Sequence, residues 1–239
     1  MVKYWDAIRK PFTDLKKLII GILLSMIPIV DSTLVTGFEI ESSGLGKAKP
    51  SKKMPEWRHW KYLFMKGFGA VVIKIAYMLP AIILIGIGVM ILAVDILQML
   101  SDTMTPNIFY LMANDQVSVQ EFGRFFWIKN FCSILTEILK LSPLFIAGGI
   151  LFLLAEFLSP IAVLNYLKKR KLSAAFEFGL VFRKSFTVKY ILAVLAMVLV
   201  AIVFGSILVF IPFVGIPALS FLIGVIGYSL LGQVYKETK

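Results

Sequence analysis

Four stretches of this sequence run for about twenty residues or more with almost no polar side chain on any face: residues 67–100, 141–167, 190–211 and 216–233. A helix at the surface of a soluble protein keeps one wet face. A helix crossing a hydrocarbon core of ~30 Å needs ~20 apolar residues and no wet face at all. One such run suits the buried helix of a soluble domain, but four do not. The expected fold class is therefore all-α: a polytopic integral membrane helix bundle, in one transmembrane domain over residues 1–239. Composition agrees, with 59% hydrophobic and 16% charged residues against ~25% charged in soluble proteins.

The formal net charge of +11 would point to nucleic acid in a soluble chain. Here most of the basic residues flank apolar runs, where the positive-inside rule and anionic headgroups account for them. No nucleic-acid partner is expected; membrane lipids are, together with a protein partner or a second copy of the chain. The single cysteine, Cys132, excludes an intramolecular disulfide and a metal site built from several thiolates. Residues 18–30 have the length of a signal-peptide core. They lead into Asp31-Ser32-Thr33 without a small-x-small cleavage site, so the segment is expected to be retained.

Residues 1–17 mix Tyr4, Trp5, Ile8 and Phe12 with five basic side chains, which predicts a short interfacial helix broken at Pro11. Residues 18–40 form a bent or re-entrant apolar segment with Pro28 near its middle. The glycine-, serine- and lysine-rich linker from Glu41 to Trp57 belongs in water. Pro55 and Glu56 then suit the first turn of a helix that carries Trp57, Arg58 and Trp60 at headgroup level before entering the second apolar run, where Pro80 predicts a kink. Ser101 to Lys129 reads as a polar loop and residues 131–140 as amphipathic. Lys168, Lys169, Arg170 and Lys171 open a third aromatic-basic stretch, and Ile211 to Gly215 closes a helical hairpin. The recurrence of an aromatic-basic stretch ahead of an apolar one, near Tyr4, Trp57 and Phe176, suggests an internal repeat.

Basic residues also set orientation. Residues 41–66 carry seven, residues 168–189 seven and the C-terminus two, whereas Ser101 to Lys129 carries two. The first three regions, and with them the C-terminus, are expected on the cytoplasmic side. The N-terminus prefers the same side. Both preferences are met if residues 18–40 turn back near Pro28 to Asp31 in a hairpin buried in protein; a simple crossing is the alternative.

Ionisable residues inside a membrane are default site candidates. At ~1.5 Å per residue, Glu156 lies roughly 16 Å and Lys74 roughly 10 Å from the cytoplasmic ends of their runs, within reach of each other if the helices are neighbours. Asp31, Lys74 and Glu156 form the candidate intramembrane polar site, as a relay or as a neutralised pair, with Asp31 also suited to capping a short helix after the break. Trp57, Arg58, Trp60, Lys168, Lys169, Arg170 and Lys171 are the candidate headgroup contacts. His59 is the one histidine, so no HExxH site is possible, and neither GxSxG nor a Walker A sequence is present. No catalytic residue, metal or cofactor is implied. Ala201 with Gly205, and Ser220 with Gly224, have the spacing that lets the last two helices approach closely, and Gly148 and Gly149 suit the same role.

Several landmarks carry a resemblance: Tyr4 with Pro11-Phe12-Thr13-Asp14, Pro28, Gly37, Pro55-Glu56-Trp57 and Pro80 in one half, then Pro160 ahead of Asn165-Tyr166, Ala175-Phe176 and Tyr190 in the other. Together they resemble domain-of-unknown-function family 4013, multi-spanning proteins found mainly in archaea and some bacteria. Met54 departs from the leucine more usual before Pro-Glu-Trp. The resemblance spans essentially the whole chain and implies a cell-membrane protein, with no activity, substrate or catalytic residue attached.

The expected function is non-enzymatic: a membrane scaffold or accessory subunit binding lipid or a partner through its basic, aromatic cytoplasmic face. The alternative is a small transporter or channel using Glu156 and Lys74, for which a continuous polar cavity reaching Glu156 is the discriminating feature. A lipid-modifying enzyme comes third, with no paired acid, base or metal ligand to assign to it.

Overall fold

The structure, a computed structural model, describes residues 2–46, 53–104, 106–114 and 117–238. Among these, regular structure is helical throughout and no strand occurs. Residues 47–52, the basic centre of the expected linker, lie outside the described residues, as do Asp115 and Gln116 of the expected polar loop. The chain divides into two compact units, Met1–Tyr77 with Ala155–Lys239, and Met78–Leu154.

In the first unit, α1 (Tyr4–Arg9) leads through a 3₁₀ turn at Lys10–Thr13 into α2 (Leu15–Ser25), whose N-terminus is capped by the Asp14 carboxylate accepting from Lys17 N–H at 3.2 Å. The chain then bends by 117° into Pro28–Glu41. Ile27, in extended conformation, takes the N-cap position, and Pro28 supplies the fixed φ of the first turn. Asp31 is therefore not the cap: its own N–H already donates to Ile27 C=O at 2.8 Å inside the helix. The new helix begins as α3 (Pro28–Val30), widens into a π turn over Asp31–Val35 and ends as α4 (Thr36–Glu41).

A second correction concerns Pro55-Glu56-Trp57, which does not open a helix. α5 (Trp60–Thr103) starts three residues later, after a left-handed turn at His59 with φ 60°. Tertiary anchors override the local preference. Trp57 stacks on Phe38 with ring centroids 3.9 Å apart and donates its indole N–H to Lys17 C=O at 3.2 Å, and Glu56 pairs with Lys17 at 2.7 Å. α5 then continues unbroken across Pro80.

The stretch from Ser101 to Lys129 holds more helix than a loop. α6 (Pro106–Ala113) lies within it, and α7 (Val119–Lys169) absorbs its end, the amphipathic segment and the third apolar run in one helix of 51 residues. Ser118 starts it in a capping box, its hydroxyl accepting from Glu121 N–H at 3.2 Å while the Glu121 carboxylate accepts from Ser118 N–H at 2.9 Å. Within the second unit, α5 and α7 pair antiparallel in constant register: Ile85 covers Gly148, Phe145 covers Gly88, and the Asn130 side chain donates to the Thr103 hydroxyl at 3.1 Å.

Back in the first unit, a 3₁₀ turn at Leu172–Phe176 and α8 (Phe178–Ser185) precede α9 (Val188–Leu208) and α10 (Gly215–Glu237), joined by the expected tight turn with Phe213 left-handed at φ 63°. α10 is the central post, buried along most of its length against α9, α4, α2 and α1. α5, α7 and α9 instead turn rows of isoleucine, leucine, valine and phenylalanine outward. Exposed apolar surface on that scale is not sustained in water. Four helices are long and apolar enough to cross a membrane, and the bent pair makes a fifth if it counts as one span. The chain is a multi-pass membrane protein.

The expected repeat takes a definite form at two of its three places. Arg9-Lys10-Pro11-Phe12-Thr13 and Arg183-Lys184-Ser185-Phe186-Thr187 share one pattern, and in each the threonine hydroxyl donates to its lysine's C=O at 2.8 Å. Each lysine is buried and its ammonium reaches the far end of the helix pair that follows: Lys10 donates to Ser42 C=O at 2.6 Å, and Lys184 to Tyr235 C=O at 3.1 Å and to Thr238 C=O. A cation at the carbonyl end of a helix is favourably placed in its dipole. The stretch near Trp57 lacks the pattern.

Candidate functional site

α4 and α5 meet at two glycines. A methyl on Gly37 would strike Leu63 C=O and one on Gly67 would strike Thr33 C=O, so the two backbones touch. On α10, Gly224 has no side chain to fill the space beside it, and the Glu39 carboxylate lies there. Gly224, expected to serve the contact with α9, faces Glu39 of the bent segment instead, and Ser220 lines the cavity described next; it is Gly205 that meets α10, through Leu219.

These approaches surround a cavity of about 580 Å³ inside the first unit. Three carboxylates (Asp31, Glu39 and Glu156) and one ammonium (Lys74) face it, with the hydroxyls of Ser159, Ser220 and Tyr228 among apolar walls. Lys74 Nζ stands 3.0 Å from Glu156 Oε1. Asp31 enters from the π turn, a local widening frequent at functional sites, in which Thr36 adds its hydroxyl to the Asp31 C=O at 3.0 Å. Glu39 is 8% exposed and has neither a hydrogen bond nor an ion pair among the described residues. No group of three or more His, Cys, Asp or Glu among the described residues is gathered closely enough to hold a metal ion.

The structure thus brings Asp31, Lys74 and Glu156 to one cavity. Glu39, Ser159, Ser220 and Tyr228 complete it and were not singled out from sequence as site residues. The signal for Glu39 was its place eight residues after Asp31, about two turns along one helix face.

The headgroup candidates divide. Arg58 and Trp60 are exposed, and Arg58 borders a separate cavity of about 450 Å³ with Glu41, Glu56 and His59. Trp57 is turned inward onto Phe38 and Phe221. Lys169 pairs with Glu177 at 2.6 Å, which holds that carboxyl below its usual range, and Lys168 sits over the Tyr235 ring at 5.3 Å. Arg170, at φ 55°, terminates α7 with its N–H donating to Tyr166 C=O at 2.7 Å. Lys171 is exposed. Beneath them, Asn165 is fully buried, donating to Ala174 C=O at 2.6 Å and accepting from the Tyr235 hydroxyl at 2.7 Å.

No curated protein and no solved structure matches this chain. One family model does, described as "Protein of unknown function (DUF4013)", over residues 20–213. That range takes in most of the bent segment, the landmarks from Pro28 to Tyr190, and Asp31, Glu39, Lys74 and Glu156 of the cavity. The chain belongs to the DUF4013 family.

Proposed function

We propose that this protein is a small, non-enzymatic transporter of the cell membrane, in which the cavity between the bent segment, α5, α7 and α10 binds a solute and passes it across. The observation that carries the reading is Glu39, a buried carboxylate without a partner among the described residues, which faces a roomy cavity in an otherwise apolar helix bundle. An uncompensated charge in such surroundings is costly, and a binding role gives it a reason. The bent pair supports the same reading, since interrupted helices commonly form the binding sites of transporters. So does the repeated lysine-pinned helix pair, because the cavity takes residues from both copies: Asp31 and Glu39 from the first, Ser220 and Tyr228 from the second. The chemistry of this site is charge and hydrogen bonding, with no nucleophile–base pair to carry a reaction.

The scaffold reading has less support. Two of its four clustered basic residues, Lys168 and Lys169, already engage Tyr235 and Glu177, and Trp57 faces the core.

A carrier must open its site to both sides of the membrane. In protein lacking Cys132, a membrane-impermeant thiol reagent should label Ser220→Cys in right-side-out and in inside-out vesicles. Labelling from one side alone, under every ionic condition tried, would count against transport and for a one-sided binding pocket.

A further inference from the structure

Resting on that reading, we infer that the solute is an organic cation: a substituted ammonium with an apolar body, bound by the Asp31 and Glu39 carboxylates. The cavity's charges do not balance. Lys74 and Glu156 neutralise each other at 3.0 Å, which leaves two carboxylates and no second described lysine or arginine facing the same space. Glu39 is more than nine-tenths buried and directed into the cavity past Gly224, whose lack of a side chain makes the room. A cation beside it offsets the cost of a buried carboxylate.

The arrangement also selects the kind of cation. A dehydrated divalent metal ion calls for several ligands converging at 2–2.6 Å, and no three His, Cys, Asp or Glu side chains among the described residues are gathered closely enough to supply them. About 580 Å³ lies within the ~300–1,000 Å³ that holds a drug-sized ligand. Apolar walls such as Val71, Val163 and Ile223 suit alkyl or aryl groups. Tyr228, one turn beyond Gly224 on α10, also lines the cavity, and aromatic rings are the side chains that attract quaternary ammonium.

The test is calorimetric titration of the purified full-length protein in nanodiscs with phenyltrimethylammonium, and with 2-phenyl-2-propanol as a neutral compound of similar shape. The cation should bind and the alcohol should not. Glu39→Gln should weaken cation binding at least tenfold, with Glu39→Asp recovering part of the loss. Lys74→Met, which releases Glu156 from its partner, should strengthen it severalfold, a gain that misfolding cannot produce. The inference is overturned if the cation fails to bind at millimolar concentration, if the alcohol binds equally well, or if both Glu39→Gln and Lys74→Met leave the affinity unchanged. Labelling of Ser220→Cys from both sides without cation binding would remove the cation and leave the transporter; one-sided labelling with cation binding would do the reverse.

Discussion

Glu41 and Lys66 form the most deeply buried ion pair among the described residues, at 4% and 8% exposure, and their separation is a quantitative test of how the bent segment is held to α5. Removing one partner leaves the other's charge at a position less than a tenth exposed and without its counter-ion, at a cost of about 3–5 kcal/mol. Lys66→Met should be the more damaging change. Besides Glu41 it loses the ammonium's position over the Tyr62 ring at 4.1 Å, an attraction of about 0.5–2 kcal/mol. Glu41→Leu loses less, because the second carboxylate oxygen already lacks a hydrogen-bond partner. The double variant strands no charge and should be less destabilised than either single one, since an apolar replacement of a buried pair is often close to neutral. Unfolding free energies of the four proteins, from denaturant titration in micelles, give the coupling directly. If the double variant loses the sum of the two single losses, the pair is uncoupled and the reasoning fails.

Three further outcomes follow from the same structure. Burial, with Lys236 nearby, lowers Lys10 from 10.5 to about 8. Between those values the unfolded chain binds more protons than the folded one, so stability should rise with pH from 8 to 10.5 by up to about 3 kcal/mol; unfolding measured across that range should lose this component in Lys10→Met. Gly67→Ala drives a methyl into Thr33 C=O, where the backbone has no room to move, and should cost ~1–3 kcal/mol or more. Gly86→Ala, with nothing within 4 Å of the added methyl, should be close to neutral in the same denaturant titration. Asn165→Leu leaves the buried Tyr235 hydroxyl without its acceptor, while Ala174 C=O keeps the Glu177 N–H, and should cost ~1–3 kcal/mol; adding Tyr235→Phe, which removes the stranded hydroxyl, should recover part of that loss.

Much of the fold was legible because bilayer thickness leaves few choices. Apolar runs of span length, the hairpin turn at Pro212 and the break near Pro28 each follow from local chemistry. What misled was chemistry resolved by distant partners. Pro55 and Glu56 have the makings of a first helical turn, but Trp57 is stacked on Phe38 and tied to Lys17, positions some twenty and forty residues away. The polar stretch after Ser101 carries helix that its composition disguised. The depths of Lys74 and Glu156 along their runs put them within reach of each other, and they do meet. Glu39 is less legible, because its meaning depends on Gly224, and the spacing of Gly224 after Ser220 reads equally well as a helix-packing motif. Only the crossing of α4 over α10 distinguishes a glycine that admits a helix from one that admits a carboxylate.

The central claim is that this apolar bundle encloses a polar, negatively charged cavity that water reaches. In protein lacking Cys132, the rate at which the cationic reagent trimethylammonioethyl methanethiosulfonate modifies Thr36→Cys and Ser220→Cys measures that directly, with Val203→Cys and Ile207→Cys on the outward apolar face of α9 as references. Fast modification of the first pair, faster than by an anionic reagent of the same size, with little modification of the second, is the predicted result. Equal protection of all four positions would mean a dry, closed bundle and would contradict the account.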